Sequence, residues 1–200
     1  MIGTLTTQHV LVFIVAAVVI EVALSDAWIW QSTRTDDDPV FRYFSKWPKP
    51  LVYVPDVASA TIYFILAAVA YSTVVIPRVS SEYRGLPLFL ATFVVVQWLF
   101  DLVFYLANVG LSDAGVGGWY TAFWKEYGAK YGARAMVGDT IYGVSIVLLA
   151  ALLAAYSPAW LTAVIALVGV WTMVVIAYEK TPPTALDAAE NSASVRTMRT

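Results

Sequence analysis

The sequence contains no cysteine and a single histidine, His9. Without thiols there are no disulfides, thiolate metal sites or iron–sulfur clusters. One imidazole excludes a bis-histidine haem within one chain. Charge is scarce too: 13% of the 200 residues are Asp, Glu, Lys or Arg, against about 25% in a soluble domain. No lysine falls inside an apolar block, which excludes a retinal Schiff base. Walker loops, nucleophile elbows and H-E-x-x-H are absent, as is the TVGYG sequence of a potassium filter. Internal repeats are not evident, which argues against a standard secondary transporter. No cofactor is implied.

Apolar residues are what the chain has in abundance, at 60%. They fall into five blocks of spanning length, about 9–27, 51–76, 86–109, 135–156 and 159–178. The expectation is an all-α polytopic membrane protein, a single transmembrane domain over 1–178 followed by a polar, disordered tail over 179–200. Ala23-Leu24-Ser25-Asp26 loosely resembles a signal-peptide cleavage site. No Lys or Arg precedes the apolar run, however, and Glu21 interrupts it, so the block reads as an uncleaved span.

The connections carry aromatic and basic residues. Trp28, Trp30, Phe41, Tyr43, Phe44 and Trp47 mix with Arg34, Arg42, Lys46 and Lys49, a composition suited to the headgroup region. Asp36-Asp37-Asp38 lacks the spaced ligands and glycine of a calcium loop, and reads as a solvated turn before Pro39. Between Gly110 and Arg134 the residues Trp119, Tyr120, Phe123, Trp124, Tyr127 and Tyr131 recur every three or four positions. That spacing predicts an amphipathic helix in the interface before the fourth span. Its basic residues are too few for nucleic acid. Only Ser157-Pro158 separates the fourth and fifth blocks, which predicts a tight antiparallel hairpin, and Ala150/Ala154 and Ala151/Ala155 are small-xxx-small pairs suited to close packing.

With five spans, ten Lys and Arg residues collect on one side, and only Arg78 and Arg84 on the other. The basic side is cytoplasmic by the positive-inside rule, so the N-terminus lies outside and the C-terminus inside.

The acids stand out against this frame. Asp101 lies deep in the third block, roughly 12 Å from its inner end at 1.5 Å per residue, and Gln97, Tyr105 and Asn108 share its helix face. Asp56 begins a stripe with Ser59, Ala60 and Tyr63; Asp139 lies one turn into the fourth block; Glu21 ends the first. All four acids fall in the inner half. A carboxylate in hydrocarbon costs several kcal/mol unless it meets a partner or a wet cavity. Convergence would make a carboxylate-lined vestibule with Gln97, Asn108, Tyr63, Tyr105 and Tyr142 as neutral partners. Asp56 and Asp139 also suit helix N-termini on dipole grounds alone.

Three functions fit. The first is binding or translocation of a cation or proton at Asp101, Asp139, Asp56 and Glu21. The second is a scaffold or subunit, with the bilayer and either a second copy or another membrane protein as partner. The third is a metal-assisted or aspartyl membrane enzyme. Asp101 and Asp139 on successive helices are similar to the pair of intramembrane aspartyl proteases, but Phe100 and Met136 depart from that pattern and P-A-L is missing.

Asp101-x-x-Phe104-Tyr105, then Phe123-Trp124-Lys125-x-Tyr127, Gly132, Ala135 and Asp139-Thr140, form a pattern across about 97–156. It resembles uncharacterised multi-span membrane proteins of large DNA viruses of algae and protists. That resemblance implies a host or virion membrane and no known activity.

Overall fold

In lipid every backbone polar group must be satisfied internally, and helices do this within one segment. The computed structural model describes residues 6–31, 37–46, 49–116 and 118–179, and these are helical with no strand. The helices are α1 (Thr7–Gln31), α2 (Pro39–Lys46), α3 (Lys49–Ala70), α4 (Leu86–Asp113), α5 (Gly118–Tyr131), α6 (Ala133–Tyr156) and α7 (Ala159–Glu179). Among the described residues, Tyr53–Arg78, Leu86–Asp113 and Ala133–Tyr156 are long and apolar enough to cross a membrane. These three segments point to a membrane location. Thr7–Ala23 and Leu161–Trp171 are shorter apolar stretches. The tail beyond residue 179, Asp36, and the side chains of Trp28, Trp30, Arg34, Phe44, Lys46, Trp47, Lys49 and Trp119 lie outside the described residues.

Proline and glycine set several boundaries. Pro87 sits in the first turn of α4, where a missing N–H costs nothing. At the far end of α3, Pro77 follows a π-helical turn, Tyr71–Val75, in which Ile76 N–H bonds the carbonyl of Tyr71. Gly132 adopts φ +50°, a left-handed conformation that suits glycine, and so lets α5 stop and α6 begin one residue later.

The hub of the bundle is α1. It packs against α3, α6 and α7, and also touches α2. Phe13, Ala16 and Ala17 are fully buried; two alanines on one face let neighbouring backbones approach closely. Phe13 stacks on Phe64 with centroids 4.3 Å apart. Phe64 meets Phe89 edge-on at 5.8 Å, and Phe93 lies 6.4 Å from Phe13. Together with Ile146, Val147 and Ala150 they fill one half of the bundle.

The fourth and fifth blocks do not pair as a tight hairpin. After the Ser157-Pro158 turn, α7 lies against α1 and α3 rather than along α6. Gly169 of α7 approaches Val18 so closely that a Cβ there would come within 3.0 Å of its Cγ1. Of the small-residue pairs, Ala150 is buried in the core while Ala154 and Ala155 are exposed.

Facing outward, α4 presents Val95, Leu99, Leu102, Val103 and Leu106, α3 presents Ile62, Leu66 and Val69, and α6 presents Ile141, Leu148 and Leu152. Exposed apolar surface on such long helices is what lipid contact requires. On this side Trp98 Nε1 donates to Thr140 Oγ1 at 2.7 Å, tying α4 to α6.

Gly143 gives a packing test inside the aromatic core. A Cβ there would lie 2.7 Å from Phe93 Cε1 and 3.1 Å from Gln97 Oε1, and both neighbours are fully buried. Alanine gains about 1 kcal/mol of helix propensity but incurs about 1–3 kcal/mol of overpacking. Gly143→Ala should therefore lower the thermal unfolding midpoint in detergent; an unchanged or higher midpoint would contradict this packing.

Candidate functional site

The other half of the bundle is not filled. A cavity of about 250 Å³ lies between the C-terminal part of α1, the N-terminal halves of α3 and α6, and the C-terminal half of α4, roofed by α2 and α5. Glu21, Asp56, Asp101 and Asp139 all line it, one from each of the four helices. Asp56 lies within electrostatic reach of Glu21 and Asp139, and Asp139 within reach of Asp101. Among the described residues, no lysine, arginine or histidine lines the cavity. No three acidic or imidazole groups among the described residues are close enough together to hold a metal ion.

Neutral hydrogen bonds hold the carboxyls Asp101 and Asp56. Gln97 Nε2 donates to Asp101 Oδ2 at 3.3 Å, one helical turn apart on α4. Tyr43 Oη donates to Asp56 Oδ1 at 3.1 Å, from α2 across to α3. Burial, and after it the charge of Asp56, pushes the Tyr43 phenol far above its usual value, so it remains a neutral donor. Gln97 is fully buried at the border of the aromatic core, and its Oε1 makes no hydrogen bond.

The expected neutral partners divide. Tyr63, Tyr105 and Tyr142 line the cavity. Gln97 reaches it only through Asp101. Asn108 is buried but turns its Nδ2 to the carbonyl of Phe104, 2.8 Å away, satisfying its own helix instead.

The α5 helix forms where the aromatic spacing predicts, but its rings serve the protein itself. Phe123 stacks on Tyr43 at 4.3 Å, and Trp124 meets Phe104 edge-on at 5.2 Å. Phe123, Trp124, Tyr127 and Gly128 all line the cavity. Gly128 is required there: a Cβ would fall 2.1 Å from Tyr105 Cε2. These residues belong to the site and were not expected in it. Their signal in the sequence is Trp124, Gly128 and Gly132 at four-residue spacing, a face with two glycines that the interface reading leaves unexplained.

Asp38 corrects another expectation. It is no solvated turn residue but fully buried. Its Oδ1 accepts from the backbone N–H of Val40 at 2.9 Å and of Phe41 at 3.2 Å, capping α2. Tyr131 Oη donates to its Oδ2 at 2.8 Å, and Lys130 pairs with the same oxygen at 3.2 Å. Partial burial first, then the bond to Asp38 and its charge, push the Tyr131 phenol up to about 12. Arg42 and Glu126 form a second ion pair between α2 and α5, and Lys125 pairs with Asp113 at the end of α4. The roof is thus pinned by polar contacts at its edges and by stacked rings beneath.

In comparisons with known proteins, no family model, no curated protein and no solved structure matches the chain.

Because Asp38 ties the roof together, Asp38→Ala should destabilise it by about 2–4 kcal/mol, from the lost cap and the stranded donors. Asp38→Asn retains the capping oxygen and should lose less. Amide hydrogen exchange in α2 and α5 reads the effect; equal protection in both variants and the natural chain would refute the clamp.

Proposed function

We propose that this chain is a five-span membrane protein whose carboxylate-lined cavity faces the cytoplasm and binds or passes a cation or proton. The observation that carries this reading is the lining of the cavity. Four carboxyls surround one small space, and among the described residues Asp56, Asp101 and Asp139 form no ion pair. Their charge is left to be met by protons or by an entering cation.

The five-span count rests on α1 and α7 joining the three longer segments. At 1.5 Å per residue their 25 and 21 residues extend about 37 and 31 Å, enough for a hydrocarbon core of about 30 Å. In that arrangement the cavity lies at the end of the bundle that carries Arg42, Lys125, Lys130 and Arg134, the cytoplasmic end by the positive-inside rule. The likeness to viral multi-span proteins enters as a proposal about which membrane holds the chain.

Binding needs only the cavity as it stands. Passage needs the layer of Phe13, Phe64, Phe89 and Phe93 to part, as hydrophobic constrictions do when they gate a pore. A scaffold would need none of this, and paired or backbone-bonded acids would favour it; Asp56 meets Tyr43, and Asp101 meets Gln97 and Tyr63, all neutral donors.

Two measurements test the proposal. In intact cells, a protease site placed after residue 200 should be cut only from the cytoplasmic side, and one placed before residue 1 only from outside; termini on the same side would remove the five-span arrangement. In liposomes, proton or cation flux through the natural chain should fall by at least about tenfold in Asp101→Asn while the fold, read by circular dichroism, is retained. Binding without transport would appear as cation protection against thermal unfolding that Asp101→Asn abolishes. Neither flux nor protection in the natural chain would sink the reading.

A further inference from the structure

The cavity's walls say more than that it takes positive charge. Of the nineteen lining residues among those described, eight are aromatic, four are carboxylic and none is basic. A proton needs no space, yet about 250 Å³ is kept open, roughly the volume of eight water molecules at about 30 Å³ each. A small metal ion needs converging oxygens, and no group of three acids among the described residues supplies them. Potassium or sodium would have to shed a tightly held hydration shell to meet the eight rings.

We propose that the cavity binds a small organic ammonium ion, an alkylated amine about the size of a trimethylammonium head with a short chain. This rests on the cation reading above and names the class of cation. Such an ion carries diffuse charge on an apolar surface, so it gives up little hydration on entering an aromatic chamber, and ring faces attract it. Tyr43, Phe123, Trp124 and Tyr127 from the roof and Phe104 and Tyr105 from α4 bound the chamber. Asp101 and Asp139, from α4 and α6, supply the counter-charge from its floor. Two buried polar groups of the lining, the Trp124 indole and the Tyr142 hydroxyl, sit beside Tyr120 and Glu21.

The roof also explains how the chamber holds its shape empty. Tyr43 stacks on Phe123 at 4.3 Å and Phe123 on Tyr127 at 5.6 Å. Ring orientation is therefore set by neighbouring rings before any ligand arrives, which removes ordering cost from binding.

The test uses the full chain in nanodiscs titrated calorimetrically with choline chloride and, separately, with the uncharged carbon isostere of choline, at constant sodium chloride. Choline should bind at least about tenfold more tightly than the isostere, the discrimination a desolvated cation–π site provides. Trp124→Leu should weaken choline by about tenfold and Trp124→Phe by clearly less, since the phenyl ring retains a π face. Asp101→Asn should weaken it too, and matching thermal midpoints establish that each variant is folded. Equal binding of choline and its isostere would overturn the proposal and make the chamber a plain apolar pocket. So would absent choline binding alongside Asp101-dependent proton or potassium flux, an outcome that leaves the cation reading standing. Absence of binding, flux and cation protection together would remove both.

Discussion

Carboxyl groups carried on apolar helices have to be kept away from hydrocarbon, and an isolated one costs several kcal/mol. Here four helices each carry one, and packing brings all four to a single cavity. Among the described residues the opposite half of the bundle has no comparable acid and closes as a layer of phenylalanines against the alanine face of α1. Concentrating the polar groups at one end lets the other pack like an ordinary core, where ring contacts can be optimised without leaving a charge stranded.

That division gives the short helices their purpose. Without α2 and α5 the acids would lie open at that end of the bundle. With them, the opening is covered by a roof of rings stacked on one another and held at its edges by Asp38, Lys130, Tyr131 and the Arg42–Glu126 pair. The roof is also the part of the fold with the most titratable and charged contacts. It is correspondingly the part most exposed to changes in salt, because exposed pairs such as Arg42–Glu126 are screened.

Much of the site was legible at the level of single helices. Helical periodicity alone places Gln97, Asp101 and Tyr105 on one face of α4, and Asp56, Ser59 and Tyr63 on one face of α3; these faces do turn inward to the cavity or its border. Asn108 shares the α4 face but bonds its own backbone, a local alternative that period counting does not register. The aromatic run of α5 was visible as a helix, while the side it turns to was not. Rings suit a lipid headgroup and a protein cavity equally well, so composition cannot choose between them. Asp38 was misjudged for the same reason: three consecutive acids before a proline look solvated until Tyr131 and Lys130, more than ninety positions away, arrive on top of one of them.

The sequence by itself determined that the chain is helical and suited to a membrane, because spanning length and hydropathy are properties of consecutive residues. It also determined that each of the four acids lies on its own helix at a calculable distance from the helix end. Only the tertiary structure decided that α1 is the hub, that α7 leaves its sequence neighbour α6 to pack on α1, and that aromatic side chains rather than basic ones enclose the acids. Those are choices among helix faces with similar apolar content. They were settled by close fits at a few positions, Gly128 against Tyr105, Gly143 against Phe93 and Gly169 against Val18, and such fits exist only once two distant segments meet.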